Sequence, residues 1–202
     1  HEHGDHVKGV GILARRLGVP VYCTRATHES CAPAIGVLPT VHYFEAGDRL
    51  QLGDMEIASF PISHDAADPV SYTVACRGAR LGLATDLGKV SHPVRIALRG
   101  AHSLVLEANH CPDMLRRGSY PPVVQQRIRS RLGHLSNQDM CSLLADLLHD
   151  GLRRVVLIHL SEENNCPSLV RQRVEQVLNG HPAEVVIATQ DEPTPLFEVC
   201  PP

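Results

Sequence analysis

The chain opens on His1-Glu2-His3-Gly4-Asp5-His6, a hexapeptide of pattern HxHxDH on which the reading of everything after it turns. In an extended segment residues two apart point the same way, so His1 and His3 can offer their imidazoles to one ion. Gly4 allows a sharp turn that aims Asp5 and His6 at a second ion about 3.5–4 Å away, the spacing of two-metal hydrolytic sites. The pattern is not the zincin HExxH, because position 5 is Asp and the helical i, i+4 histidine pair is absent. Four such side chains rarely complete a site. Three more candidates each stand at the end of a predicted strand. His64 follows Phe60-Pro61-Ile62-Ser63, Asp86 sits in Ala84-Thr85-Asp86-Leu87-Gly88, and His159 closes the apolar run Val155-Val156-Leu157-Ile158. A lone histidine at a strand end is more often a hydrogen-bonded structural group. Beside the hexapeptide, the three read as further ligands.

Working outward, the composition narrows the function. The 202 residues are 43% hydrophobic and 20% charged, ordinary for a globular chain, and no apolar run approaches the ~20 residues of a membrane span. No membrane association is expected. Net charge is −3 and the lysines are Lys8 and Lys89, so a grip on polyanions must come from local arginine clusters. With no Trp, three Phe and four Tyr, base-stacking platforms of passive nucleic-acid modules are disfavoured. The seven cysteines are scattered with no CxxC pair, which argues against a zinc ribbon or redox dithiol. The opening HEHGDHVKG has neither a cationic nor an apolar signal-peptide region, so a reducing cytoplasm is the expected location. A start on His1 rather than Met reads as a fragment or a processed product.

Periodicity predicts a helix over His6–Leu17, closed by Gly18 and Pro20. A strand follows at Val19–Thr24, then a short helix or loop over Arg25–Gly36, broken by Pro33. Short strands are expected at Val41–Phe44, Arg49–Leu52 and Met55–Phe60, and a hairpin of Val70–Cys76 and Ala79–Ala84 around Arg77-Gly78. In the second half, strands Ser103–Glu107, Val155–His159 and Val185–Ala188 alternate with amphipathic segments Pro121–Leu132, Asn137–His149 and Ser168–Leu178. Alternation of this kind means α/β layering, with all 202 residues taken as one domain.

In its order of HxHxDH, His64, Asp86 and His159 the chain resembles the metallo-β-lactamase superfamily. The strings SHDAADPVSY (63–72), ATDLG (84–88), LEANH (106–110), MLRRGSYP (114–121), GHLSN (133–137) and HLSEENN (159–165) resemble its YycJ (WalJ/VicX) branch of bacterial DNA exonucleases. The resemblance implies an α/β four-layer αβ/βα sandwich, here lacking the N-terminal strands that family members carry before HxHxDH. It implies two divalent ions, Zn or Mn: His1, His3 and His64 hold one, Asp5, His6 and His159 the other, and Asp86 bridges both. The branch usually reads Asn-His-Asp where this chain has Asn109-His110-Cys111, so a carboxylate near the site is lost.

Two such ions bring the pKa of a bridging water toward neutrality, giving a hydroxide able to attack phosphorus or carbonyl carbon. Asp5, Asp86 and His134 are the expected catalytic residues, with His134 protonating the leaving group or meeting the scissile phosphate, as the histidine of the similar motif in tRNase Z does. Ser136 and Asn137 open a predicted helix and, with His134, Asn109 and His110, are expected to meet substrate. Arg116, Arg117, Arg127, Arg129 and Arg131 are as suited to follow a nucleic-acid backbone as to form a solvated face. His28, His42, His92, His102, His149 and His181 fit no ligand pattern. The leading expectation is a 5′ to 3′ DNA exonuclease with a nucleic-acid substrate. The alternative is a small-molecule hydrolase acting on a thioester, lactone or β-lactam, since one scaffold supports all of these.

Overall fold

The computed structural model describes residues 1–201. Among them the backbone forms eight helices and nine strands: α1 (Gly4–Val7), α2 (Val10–Leu17), β1 (Val21–Cys23), α3 (Arg25–Ile35), β2 (Val41–Tyr43), β3 (Arg49–Leu52), β4 (Met55–Pro61), β5 (Val70–Cys76), β6 (Ala79–Ala84), α4 (His92–Leu98), β7 (Ser103–Glu107), α5 (Pro112–Arg117), α6 (Pro122–Ile128), α7 (Asn137–Leu147), β8 (Arg154–Ile158), α8 (Pro167–Leu178) and β9 (Glu184–Ile187). Strands β3 to β9 form one sheet in chain order, and β1 and β2 pair in parallel as a second. No helix among the described residues is long and apolar enough to cross a membrane.

The large sheet changes character along its length. Strands β3 to β6 are antiparallel, with two-residue turns joining β3 to β4 and β5 to β6 and a longer loop joining β4 to β5; Arg77 and Gly78 both take positive φ, 47° and 81°, between the paired residues Cys76 and Ala79. Positive φ at both central positions matches the twist of the flanking strands, which is why this hairpin is legible from its Arg-Gly. From β6 to β9 the strands are parallel, and helices carry the returns. Three parallel neighbours therefore end together, with Ala84 beside Leu106 and Glu107 beside Ile158. The residues that follow emerge at one edge of the sheet, where α/β folds place their ligands.

Helices α4, α7 and α8 cover one face, burying Leu98, Leu104, Leu106, Leu143, Leu144 and Leu157 with Val170 and Val174 in one cluster. At Gly82 of β6 a Cβ would press on the Leu98 side chain, so α4 lies directly on the sheet there. On the opposite face Tyr72 of β5 meets Phe44, just past β2, with ring centroids 6.2 Å apart. A smaller cluster of Val7, Cys31 and Ile35 joins α1 and α3.

Several predicted boundaries change. The single helix over His6–Leu17 is two, with the break at Lys8-Gly9. α3 runs through Pro33 to Ile35 instead of breaking there; a proline so near the C-terminal end removes one backbone bond without stopping the last turn. α6 ends at Ile128, four residues short of Leu132, and α7 ends at Leu147 rather than His149. Helices α4 and α5 were not predicted; each is short and starts on Pro at its first turn.

Four asparagines tie the loops at the sheet edge together. Asn165 Nδ2 donates to the carbonyls of Ala108 and Asn109, and its Oδ1 accepts from Asn137 Nδ2 at 2.8 Å and from the Cys166 amide. Asn109 Nδ2 donates to the His159 carbonyl, and the Asn164 carbonyl accepts from the Cys111 amide. Removing one member leaves buried partners unpaired at about 1–3 kcal/mol each. Asn165→Ala is therefore expected to destabilise the protein by about 3 kcal/mol, read from the urea midpoint at unchanged slope; a change under about 0.5 kcal/mol, the range of neutral surface substitutions, contradicts this.

Candidate metal centre

His1 to His3 run extended into α1, whose N-cap is His3 with φ −61° and ψ 148°. The chain passes there from an extended segment to a single helical turn, and His1 faces both His3 and His6, with ring centroids 4.5 and 4.1 Å away. Gly4 contributes no positive φ to it, contrary to the expectation that the turn draws on glycine's freedom. Glu2 fixes this loop from the side, its Oε1 accepting from the Ala67 amide at 2.8 Å. The loop after β4 supplies His64, and the ends of β6 and β8 supply Asp86 and His159. These last two both take left-handed φ, 56° and 59°, uncommon for residues with a Cβ although Asp and His tolerate it better than most.

The seven predicted ligands converge. His1, His3 and His64 form one group of potential ligand atoms within 4.8 Å of one another, and His1, His6 and Asp86 form another. Asp86 stands at the centre. Its Oδ2 is 2.9 Å from His6 Nε2, and its Oδ1 is 3.8 Å from His64 Nε2 and 3.4 Å from His159 Nδ1. Asp5 Oδ2 reaches to 3.7 Å from both His6 Nε2 and His159 Nε2, a looser approach at the exposed rim.

The hydrogen bonds decide which atoms are free. His64 Nδ1 is 3.0 Å from the Gly133 carbonyl, an acceptor only, so it carries the proton and Nε2 presents a lone pair inward. That lone pair lies 3.3 Å from His3 Nδ1. Two nitrogens bound to a tetrahedral ion at about 2.0–2.1 Å are separated by about 3.3–3.4 Å, so this contact has the length of one coordination edge. His1 Nε2 is buried without a hydrogen bond, a cost the fold would not ordinarily carry, and Asp86 Oδ2 has His6 Nε2 beside it at 2.9 Å. Imidazoles held by their second nitrogen, carboxylates and a buried histidine nitrogen without a partner fit divalent metal, and set aside any soft-metal thiolate site.

One decisive group was not predicted. Glu107, fully buried at the end of β7, accepts at Oε1 from His134 Nδ1 (2.8 Å) and His159 Nδ1 (3.0 Å), and at Oε2 from the amides of Leu87 (2.7 Å) and Leu135 (3.2 Å). Burial pushes its carboxyl up, but the two imidazole bonds outweigh it and keep the group ionised, below its ordinary range. The signal was present: a carboxylate closes the apolar strand Ser103-Leu104-Val105-Leu106, as His159 closes its neighbour. Its partner His159 is moved in turn. Burial lowers it, yet the bond to Glu107 and the charges of Glu107, Asp86 and Asp5 raise it to about 9. Asp86, pushed up by burial, is brought down to about 2 by His6, His159 and His64. His64 is lowered, chiefly by burial.

The expected substrate residues divide. His134 lies at the pocket mouth beside His159, its ring 5.1 Å away. Ser136 and Asn137 are engaged within the protein. Ser136 Oγ caps α7 by accepting from the Asp139 amide and bonds the Asp139 carboxylate, while Asn137 is fully buried and paired with Asn165. The Asn109 amide bonds backbone, though the residue lines the groove beside the site. His110 is buried with Nδ1 unpartnered, and burial lowers it to about 4. Of the histidines outside the pattern, His102, His149 and His181 are half-buried and bond neighbouring backbone.

The beta-lactamase superfamily domain matches residues 1–160. Exodeoxyribonuclease YycJ of Bacillus anthracis is 42% identical over 180 residues, 88% of this chain and 68% of that protein. Exodeoxyribonuclease WalJ of Streptococcus pneumoniae serotype 2 is 36% identical over 209 residues, 98% of this chain and 78% of that one. Among solved structures, Zn2+-bound PqqB of Methylobacterium extorquens superposes with TM-score 0.70 at 18% identity, covering 93% of this chain and 68% of its own.

A ligand at 100 times its Kd adds about 2.7 kcal/mol of stability, which for a chain of this size raises Tm by about 5–11 °C. Titration of Zn2+ or Mn2+ into the metal-free protein is expected to raise Tm by that amount, and Asp86→Ala to remove most of the rise in differential scanning fluorimetry.

Proposed function

The chain belongs to the metallo-β-lactamase superfamily, and on that footing we propose that it is a metal-dependent hydrolase of phosphodiesters, an exonuclease that removes nucleotides from DNA ends. It would hold two divalent ions, Zn or Mn, with His1, His3 and His64 as the residues for one, Asp5, His6 and His159 for the other, and Asp86 available to both. Such ions supply Lewis acidity toward phosphoryl oxygens and a nucleophile from water near neutral pH. The observation that carries the reading is the pair of imidazoles on one buried carboxylate, His134 and His159 on Glu107, at the mouth of the ligand cluster. Hydrolysis of a phosphodiester leaves an alkoxide oxygen that needs a proton, and the pair places a proton carrier beside the metal ligands.

Each side chain has a separable task. Glu107 holds Nδ1–H of His134, so Nε2 is the nitrogen that takes and gives a proton at the leaving oxygen. The same carboxylate holds Nδ1–H of His159 and turns its Nε2 toward Asp5. The Gly133 carbonyl does the corresponding work for His64. Asp86, ionised across the neutral range, brings negative charge to the middle of the cluster. The exodeoxyribonuclease names of the YycJ and WalJ relatives favour DNA as substrate. Seven free cysteines suit a reducing compartment, the cytoplasm.

Asp86→Ala is expected to abolish metal-dependent release of nucleotides from linear duplex DNA. His134→Ala is expected to lower kcat by about 10²–10⁴-fold with metal content retained, the usual contribution of a positioned acid or base. Full turnover in both variants, with metal content and nucleotide release measured on the same samples, would remove the assignment.

A further inference from the structure

The strongest feature outside the ligand cluster is a groove of about 420 Å³ that starts at His134 and His159 and runs under α6. Its volume lies within the about 300–1,000 Å³ of ligand sites, room for one nucleotide unit. One wall is apolar and carries an aromatic ring, with Tyr120, Val124, Ile128 and Leu160. At the rim stands Arg127. Of the five arginines between 116 and 131 it alone lines this groove; Arg116 is paired with Asp113, and Arg129 Nε donates to the Gln125 carbonyl.

Arg127 is held rather than free. Its Nε donates to Asp65 Oδ2 at 2.6 Å, which fixes the guanidinium from its inner edge and leaves the outer edge, on a side chain 62% exposed, toward solvent and groove. Asp65 follows His64 in the chain, and its other oxygen is buried, without a hydrogen bond, 3.4 Å from His64 Nε2. One carboxylate thus connects the arginine to the ligand cluster. Along the other wall Glu162 and Glu163 bring negative charge, with Glu163 Oε2 accepting from Ser119 Oγ at 2.6 Å. A second phosphate is disfavoured on that side, whereas amino groups of a nucleobase suit it.

Resting on the nuclease reading, we infer that this groove seats the single nucleotide adjoining the scissile phosphate. Its base lies on Tyr120 and the apolar wall, and its flanking phosphate meets the guanidinium of Arg127 that Asp65 holds in place.

The test measures kcat/KM on a duplex with one unpaired terminal nucleotide and on bis-p-nitrophenyl phosphate, which has no base and no flanking phosphate. Arg127→Gln is expected to lose at least about tenfold more on DNA than on the small ester, with Arg127→Lys intermediate, because a lysine cannot make the forked contact. Tyr120→Ala is expected to lose about 5- to 100-fold on DNA, the range of one base stacked on an aromatic ring, and Tyr120→Phe to restore it. Arg131→Gln, exposed and outside the groove, serves as control and is expected to stay within about twofold. Equal losses on both substrates for Arg127→Gln, or a loss in Arg131→Gln as large, overturn the inference while the nuclease reading stands. Hydrolysis of the small ester by the unaltered protein with DNA untouched overturns both.

Discussion

The site depends on one carboxylate that the fold buries and then saturates. Glu107 accepts four hydrogen bonds, from the backbone past β6, from the backbone before α7, from His134 and from His159. A buried charge is costly unless each lone pair is used, and here the donors come from three separate stretches of chain. The ionised group therefore does two things at once. It binds together loops that would otherwise move independently, and it chooses which nitrogen of each histidine faces outward.

That arrangement is possible because β6, β7 and β8 run parallel and end level. A strand residue alternates faces, and the first residues past the strand leave the plane altogether. Asp86 and His159 do so in left-handed conformations, turning their side chains back over the strand ends. Close approach of the neighbouring loops is permitted by Gly88 and Gly133, where any Cβ would run into the backbone of residues 127–131. The asparagines behind them hold the same loops from the inner side, with the Asn137 amide paired to Asn165.

The electrostatics of the cluster point the same way. Without a cation, Asp86 and Glu107 stay ionised by drawing on histidine protons, and His159 rises to about 9 in return. A divalent ion bound there would take over that compensation and displace those protons, so its affinity would weaken on acidification. His64 is different: burial lowers it, and its proton is fixed on Nδ1, so its Nε2 lone pair is free from the outset.

The hexapeptide, the three strand-end residues and the strand–helix alternation were all readable in one dimension, because metal ligation demands particular residue types and strands announce themselves by period. The Arg77-Gly78 hairpin was readable for the same local reason. The role of Glu107 was not, since its four partners lie up to 52 residues away in sequence and no spacing encodes them. Nor was the fate of Ser136 and Asn137, where a helix cap and an amide pair look identical in sequence to two phosphate donors. Residue type decided which groups are able to bind metal or move a proton. Only the packing of parallel strand ends decided which of their atoms are left unpaired to do it, because a hydrogen bond is a property of two partners brought together and not of either alone.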